Sequence, residues 1–301
     1  MYDFSTIAEL TAEAEKNRLP ISSIVIAREA HDSQRSYDEV VSQMRASWLT
    51  MKKAIDRGIR TPGKSVSGLT GGDAPKIFHR LSDPEVRSYL GNLASCACAG
   101  AIAVAEVSAG MGRIVACPTA GSCGIVPGAL YAAHRYIIKN DEAIVRALFT
   151  AAGFGMVVDR MACIAAEGGC QAECGTAAAM AAAALTELGG GTPEAAAHAA
   201  ALALKNLLGL ACDPVAGLVE VPCIKRNGFI AVHALTAADM ALTGIRSVIP
   251  PDEVIMAMKE IGDLLPLASR KPPPEAWPPP LPAAASRSRY SAASQSKNTA
   301  G

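Results

Sequence analysis

An all-α fold is predicted by three features of the sequence. Apolar residues recur at helical spacing from the first residues onward, as in Ile7, Leu10 and Ala14. Half of the residues are apolar and only 4% aromatic, so the core must be built from Ala, Leu, Ile, Val and Met. Alanine is the best helix former, and small side chains let helices approach closely. No convincing alternation of apolar and polar residues marks a strand. At 301 residues the chain can bury a sizeable core in one large or two ordinary domains.

Residues 1–60 read as two or three amphipathic helices. The Ile7 group supplies one face, Ile21, Ile24, Val25 and Ile26 another, and Tyr37 to Arg57 repeats apolar residues at helical spacing. Thr61 to Asp73 is a glycine-rich loop, and a long apolar helix is expected from Pro84 to Ala109, interrupted near Gly100. A second loop, Cys117 to Gly124, precedes a helix opened by Pro127 and Gly128. Asp141–Val158 and Cys174–Leu188 are expected to be helical, the latter stopped by Gly189-Gly190-Gly191. Thr192 followed by Pro193 and Glu194 is a strong helix start, for a helix that runs to Leu208 and ends at Gly209. Asn227–Thr243 and Asp252–Leu264 complete the set.

Beyond Leu267 the character changes: eight of the 19 prolines fall between Pro266 and Pro282, and most of the rest is Ser, Ala, Arg and Lys. Such a segment buries too little apolar surface to offset its ordering entropy. One helical domain over residues 1–266 and a disordered tail over 267–301 are therefore expected.

The balance of 28 basic and 28 acidic residues gives no net field, and no basic patch is interleaved with aromatics, so nucleic acid is not an expected partner. The N-terminus carries Asp3, Glu9, Glu13 and Glu15 and lacks the charged start and apolar run of a signal peptide. The most apolar stretch, Thr176 to Leu188, is too short to span a bilayer. A soluble cytoplasmic protein without membrane contact is expected. In that reducing compartment its nine cysteines argue against disulfides and for metal binding or reactive thiols.

Three of the nine carry most of the chemical information. One sits in Gly168-Gly169-Cys170-Gln171-Ala172-Glu173. The others bracket Cys212-Asp213-Pro214-Val215-Ala216-Gly217-Leu218-Val219-Glu220-Val221-Pro222-Cys223, which runs on into Lys225-Arg226-Asn227. Glycine and proline beside each thiol keep the backbone irregular, which suits sulfurs that converge on one point. Three thiolates are one short of a closed four-sulfur site, and an open position is what a metal needs to act as a Lewis acid. Spacing leaves other combinations open: Cys170 with Cys174 on one helix face, Cys96 with Cys98, Cys117 with Cys123. For any one cysteine, burial in a small-residue core is the ordinary explanation.

His31, His79, His134, His198 and His233 are scattered and form no metal-binding or catalytic pattern. The glycine-rich loops lack the spacing of a Walker or dinucleotide fingerprint. They read as tight turns or as anion sites made by exposed amides at a helix N-terminus. Lys225 and Arg226 are placed either to hold a carboxylate or to be solvated.

Six strings then identify a resemblance: Ser67-Gly68-Leu69-Thr70-Gly71-Gly72-Asp73-Ala74, Pro118-Thr119-Ala120-Gly121-Ser122, Gly169-Cys170-Gln171-Ala172-Glu173, Lys205-Asn206-Leu207-Leu208-Gly209-Leu210, Cys212-Asp213-Pro214-Val215-Ala216-Gly217-Leu218-Val219 and Val221-Pro222-Cys223-Ile224-Lys225-Arg226-Asn227. Over residues 1 to about 266 the chain resembles the α subunit of the bacterial iron–sulfur-dependent L-serine dehydratase. The resemblance implies an all-helical catalytic subunit that holds a 4Fe–4S cluster through Cys170, Cys212 and Cys223. The fourth iron would lack a permanent thiolate and take the substrate hydroxyl, turning L-serine into pyruvate and ammonia. Ser67, Thr70 and Asp73, then Thr119, Ala120, Gly121 and Ser122, with Lys225, Arg226 and Asn227 nearby, are the expected substrate-binding groups. Holding the substrate carboxylate raises the acidity of the Cα proton.

The second domain of that family carries a Ser-Ser-Ser-His-Thr motif that this chain lacks. A separate β subunit is therefore the expected partner in a hetero-oligomer, supplying the general base, and the chain alone is expected to be inactive. Two departures stand out. Met161-Ala162-Cys163-Ile164-Ala165 replaces the family's Ala-Ser-Ile-Ser-Gly, and a proline-rich string from Lys271 to Pro282 replaces its Arg-Glu-Thr and Gly-Gly-Leu-Ala ending. GC-rich codons for that string, read in another frame, give Thr-Ala-Ala-Gly-Gly-Leu-Ala-Ala-Ala-Pro-Ala-Gly, so a frameshift just upstream of Lys271 is expected. Two rival readings remain: a dehydratase or desulfidase for another small β-substituted amino acid, and a non-catalytic iron–sulfur or zinc-binding scaffold subunit.

Overall fold

Short polar side chains set four of the helix starts. The computed structural model describes residues 2–266 other than 82, 84, 86 and 213–217, together with Ser269. Among the described residues there are eleven α-helices: α1 Ile7–Asn17, α2 Ile21–Asp32, α3 Tyr37–Arg60, α4 Ala74–Arg80, α5 Gly91–Ala109, α6 Ile125–Tyr136, α7 Asp141–Met161, α8 Thr176–Leu188, α9 Pro193–Lys205, α10 Cys223–Leu242 and α11 Pro251–Leu264. No strand occurs among those residues, so the fold class is all-α. Thr6 and Ser36 each close a capping box with the glutamate three residues on, opening α1 and α3. Asn140 caps α7, and Thr192 caps α9 by accepting from the Ala195 amide at 3.1 Å.

Several boundaries differ from the sequence expectation, each for a packing or hydrogen-bonding reason. The first 60 residues form three helices. The apolar helix α5 starts at Gly91, not Pro84, and runs unbroken through Gly100. Gly100 faces α6, where a Cβ would lie 3.3 Å from the Gly128 Cα, so it serves close packing rather than interruption. The short helix α4 was not legible in the loop sequence. At the other end, α10 begins at Cys223 rather than Asn227, because the Pro222 carbonyl already accepts from the Arg226 amide at 3.1 Å. α9 ends at Lys205, and the chain turns where the Leu207 amide bonds back to Leu204 at 2.9 Å. The expected start at Cys174 is instead part of a π-helical turn, Gln171–Gly175, that leads into α8.

Two helices form the centre. α8 is buried at every residue from Thr176 to Thr186 and packs against α6, α7, α9 and α10, while α5 packs against α3, α4, α6 and α10. Alanine and glycine surfaces allow this density. A Cβ on Gly128 would stand 2.5 Å from the Ala101 backbone nitrogen and 2.7 Å from the Ala97 carbonyl oxygen. By length and composition α5 matches a membrane-crossing helix, yet 67% of its apolar window is buried inside the fold, as in a core helix. Polar ties close the periphery. Trp48 is fully buried, and its indole N–H donates to Asp141 at 2.7 Å, joining α3 to α7. Asp252, in the first turn of α11, accepts from the Ile7 and Ala8 amides at 2.7 and 3.1 Å, tying the two ends of the fold together. The Pro/Ala/Ser-rich tail and the expected frameshift lie outside the described residues, Ser269 apart.

Gly128→Ala should force α5 and α6 apart, because backbone rather than a flexible side chain meets the added methyl. Overpacking of this kind costs about 2 kcal/mol, which lowers Tm by roughly 5 °C in a domain of this size. Calorimetry on the variant checks this, and an unchanged Tm would contradict the packing argument.

Candidate active site

Three helix N-termini meet at one point. The loop Cys117–Gly124 leads into α6, Cys170 and the π-helical turn lead into α8, and Cys223 is the first residue of α10. Asn227 holds the junction. Its Nδ2 donates to the Gly121 carbonyl at 2.8 Å and the Cys223 carbonyl at 2.9 Å, and its Oδ1 accepts from the Gly124 amide at 2.8 Å. The side chain is fully buried and both ends of its amide are used, so what it binds is the loop. Free amides and the positive end of the helix dipole favour negative charge at such a junction.

The thiols gather there. Cys170, Cys174, Cys212 and Cys223 are all buried. Hydrogen bonds from Cys174 and Cys212 draw the Cys170 thiol well below its ordinary range, against the opposing effect of burial, and the Arg226 guanidinium adds to the fall. Arg226 Nη1 donates to the Cys170 sulfur at 3.2 Å and to the Ala211 carbonyl at 3.2 Å. Cys174 and Cys212 are pushed up, first because they donate to Cys170 and then by burial. Cys223 is pushed up to about 11, by burial and then by the charge on Cys170. The first negative charge therefore rests on Cys170, where the cation is. By contrast Cys117 and Cys123 are pushed up to about 12, chiefly by burial, and act as core thiols.

Two hydroxyl-bearing loops flank the thiols. In the first, Gly71 has φ +123°, a conformation that favours glycine. The carboxylate of Glu220, only 5% exposed, accepts from the Ser67 hydroxyl at 2.5 Å, the Ser67 amide at 3.4 Å and the Thr70 hydroxyl at 3.5 Å. Glu106 of α5 accepts from the Asp73 amide at 2.8 Å. Asp73 in turn bridges Lys225 at 2.5 Å and Lys76 at 2.7 Å, and these bonds, Lys225 first, hold its carboxyl below the usual range. In the second loop, the Thr119 hydroxyl donates to Glu173 at 2.8 Å and lies 3.2 Å from the Ser122 hydroxyl. Gly121 packs against Glu173, whose carboxylate oxygens would be 3.1 and 3.2 Å from a Cβ there. Ser122 is buried, and Ala120 is exposed at the tip.

The structure thus brings together Cys170, Cys212 and Cys223, with Arg226 on the first of them and Asn227 beneath. Ser67, Thr70 and Asp73 share one loop, and Thr119, Ala120, Gly121 and Ser122 the other. Sequence reasoning left the Cys170–Cys174 pair open as one of several combinations, and missed the three carboxylates Glu106, Glu173 and Glu220. A signal existed for two of these: Glu173 follows Cys170 by three residues, and Glu220 precedes Cys223 by three.

The donor set suits a polynuclear iron–sulfur group. Thiols are the soft ligands such a group takes, and a guanidinium at one sulfur offsets its charge. Among the described residues no three His, Cys, Asp or Glu side chains have the spacing of a single bound ion. A basic recess of about 700 Å³, lined by Lys52, Tyr131, His134, Arg135, Tyr136 and Lys139, lies toward the far end of α6 and contains no thiol.

A family profile described as the serine dehydratase alpha chain matches residues 16–271. The chain belongs to the serine dehydratase alpha-chain family. Among its relatives, the probable L-serine dehydratase alpha chain of Bacillus subtilis (strain 168) is 47% identical over 269 residues, 89% of either chain. The L-serine dehydratase alpha chain of Peptoniphilus asaccharolyticus is 38% identical over 260 residues, 86% of this chain and 88% of that one. L-serine dehydratase 1 of Escherichia coli (strain K12) is 38% identical over 267 residues, which are 87% of this chain but 58% of that longer protein.

Within this family member, Asn227→Leu should remove the buried side-chain bonds to the Gly121 and Cys223 carbonyls and from the Gly124 amide. Three lost buried hydrogen bonds amount to about 3 kcal/mol. Urea denaturation measures this directly; a loss under about 1 kcal/mol would show that the junction does not depend on Asn227.

Proposed function

We propose that this chain is the catalytic α subunit of a cytoplasmic iron–sulfur L-serine dehydratase whose active site a β subunit completes. The observation that carries this reading is the convergence of the Cys212 and Cys223 thiols and the Arg226 guanidinium on Cys170, beside two hydroxyl-bearing loops. The relatives named for L-serine dehydration support the substrate, and their designation as alpha chains supports a partner. The 267 residues shared with the Escherichia coli relative are 58% of that longer protein.

Cys170, Cys212 and Cys223 would hold a 4Fe–4S cluster, with Arg226 balancing charge at Cys170. Bound there, the cluster supplies a Lewis acid that makes the serine hydroxyl a better leaving group. The chain's own residues receive and orient the substrate. The loops that carry Ser67 and Thr70, and Thr119 and Ser122, would face the substrate carboxylate; donors turned to it there, in exchange for the bonds these hydroxyls make to Glu220 and Glu173, would spread its negative charge and acidify the Cα proton. Lys225 reaches the same region through its pair with Asp73, which keeps its ammonium beside the first loop. The proton is taken by a base on the partner subunit. Loss of water gives 2-aminoacrylate, which tautomerises and hydrolyses to pyruvate and ammonia.

Anaerobic co-expression with the partner, followed by metal analysis and a pyruvate assay, tests the reading. Iron with labile sulfide and serine-dependent pyruvate are expected; one zinc per chain without turnover would instead establish a scaffold subunit. Cys212→Ala should abolish both the brown absorbance and pyruvate formation, and retention of both would remove Cys212 from the ligand set. The chain purified without its partner should form no pyruvate from serine; a full rate from it alone would show that the site needs nothing more.

A further inference from the structure

We infer that Glu220 is a positioning residue that holds the Ser67–Asp73 loop in its substrate-binding shape and couples that loop to the Cys223 segment; this rests on the reading of that loop as the receptor for the serine carboxylate. Glu220 is fixed at both ends. Its backbone belongs to the turn that sets Cys223, since its amide bonds the Leu218 carbonyl at 2.9 Å and its carbonyl accepts from the Ile224 amide at 2.9 Å. Its side chain reaches Ser67, which lies 153 positions away in sequence, at 2.5 Å.

The charge on Glu220 is unusual for a structural tie. The residue is 5% exposed, and no cation pairs with it among the described residues; its donors there are two hydroxyls and one amide. Burying a carboxylate without a counter-cation is costly, and a neutral side chain would bridge two loops with less penalty. What the charge adds is a shorter and stronger hydrogen bond. From Ser67 the order spreads: its hydroxyl oxygen accepts from the Leu69 amide at 3.1 Å and lies 3.3 Å from the Ser65 hydroxyl, whose oxygen accepts from the Thr70 amide at 3.2 Å. The far end of the loop is held by Glu106 of the rigid helix α5. With one end on α5 and the other on the thiol segment, any displacement of the Cys223 turn is passed to Ser67. Glu173 repeats the arrangement between Cys170 and Thr119.

The test is a double-mutant cycle between Glu220→Gln and Ser67→Ala, read in two ways. In the full chain, hydrogen–deuterium exchange over residues 65–70 should quicken about tenfold in either variant, the equivalent of one lost charge-assisted bond. Exchange over residues 170–175 should stay as in the parent. In the complex with its partner, iron content should be retained and KM for serine should rise about tenfold, more than kcat falls. The double variant should be no worse than the poorer single, because both remove the same bond. Additive effects, unchanged exchange at residues 65–70, or loss of iron in Glu220→Gln would each overturn the assignment. Should Glu220→Gln not fold, Ser67→Ala reads the same bond from the other side, and unchanged exchange there overturns it equally. A parent complex without iron or pyruvate would sink the proposed function, while the exchange data would still judge Glu220.

Discussion

The site depends on bringing the N-terminal ends of α6, α8 and α10 to within one side chain's reach of each other. Helix ends of like partial charge repel, so they stay together only if the helix bodies pack tightly behind them and something polar ties the tips. The bodies meet through alanine and glycine: α8 is alanine at most of its buried positions, and α6 lies so close to α5 that Gly128 touches the Ala101 backbone. The tips are tied by Asn227, whose single amide binds the Gly121, Cys223 and Gly124 backbones at once. The scarcity of aromatic residues follows from the same demand, since large rings would hold the helices apart.

Once the ends meet, their field invites anionic groups, and the chain supplies thiols and carboxylates. Cys170 takes the first charge because two thiols and Arg226 converge on it. The remaining charges are managed by division of labour. Asp73 is neutralised by Lys225 and Lys76 near the surface, whereas the buried Glu220 and the half-buried Glu173 carry hydroxyl donors from the two loops. Each thiol segment thereby grips a loop, so the geometry of sulfur and the geometry of hydroxyl donors are one mechanical unit. The two loops are joined to the thiol segments through side chains that belong to neither list of expected groups.

How much of this is legible in the sequence depends on how local the cause is. The capped starts of α1, α3, α7 and α9 are local, since each cap reads its own next three residues. Gly100 was misread as a break because its reason, the Gly128 backbone across the helix interface, is remote in the chain. The π-helical turn at Gln171–Gly175 is likewise hidden, because the Gln171 amide at its start bonds the Leu210 carbonyl at 3.0 Å and that segment meets it only on folding.

By itself the sequence determined the helical class, the small-residue core, the family, and the identity of the two loops and three cysteines, because composition, periodicity and contiguous strings are properties of neighbours along the chain. Only the tertiary structure decided that Asn227 spends its amide on the loop, that Lys225 is held by Asp73, and that Glu220 and Glu173 hook the loops to the thiol segments. Those are pairings between residues far apart in sequence, and their energies depend on burial and direction, which no string of neighbours specifies.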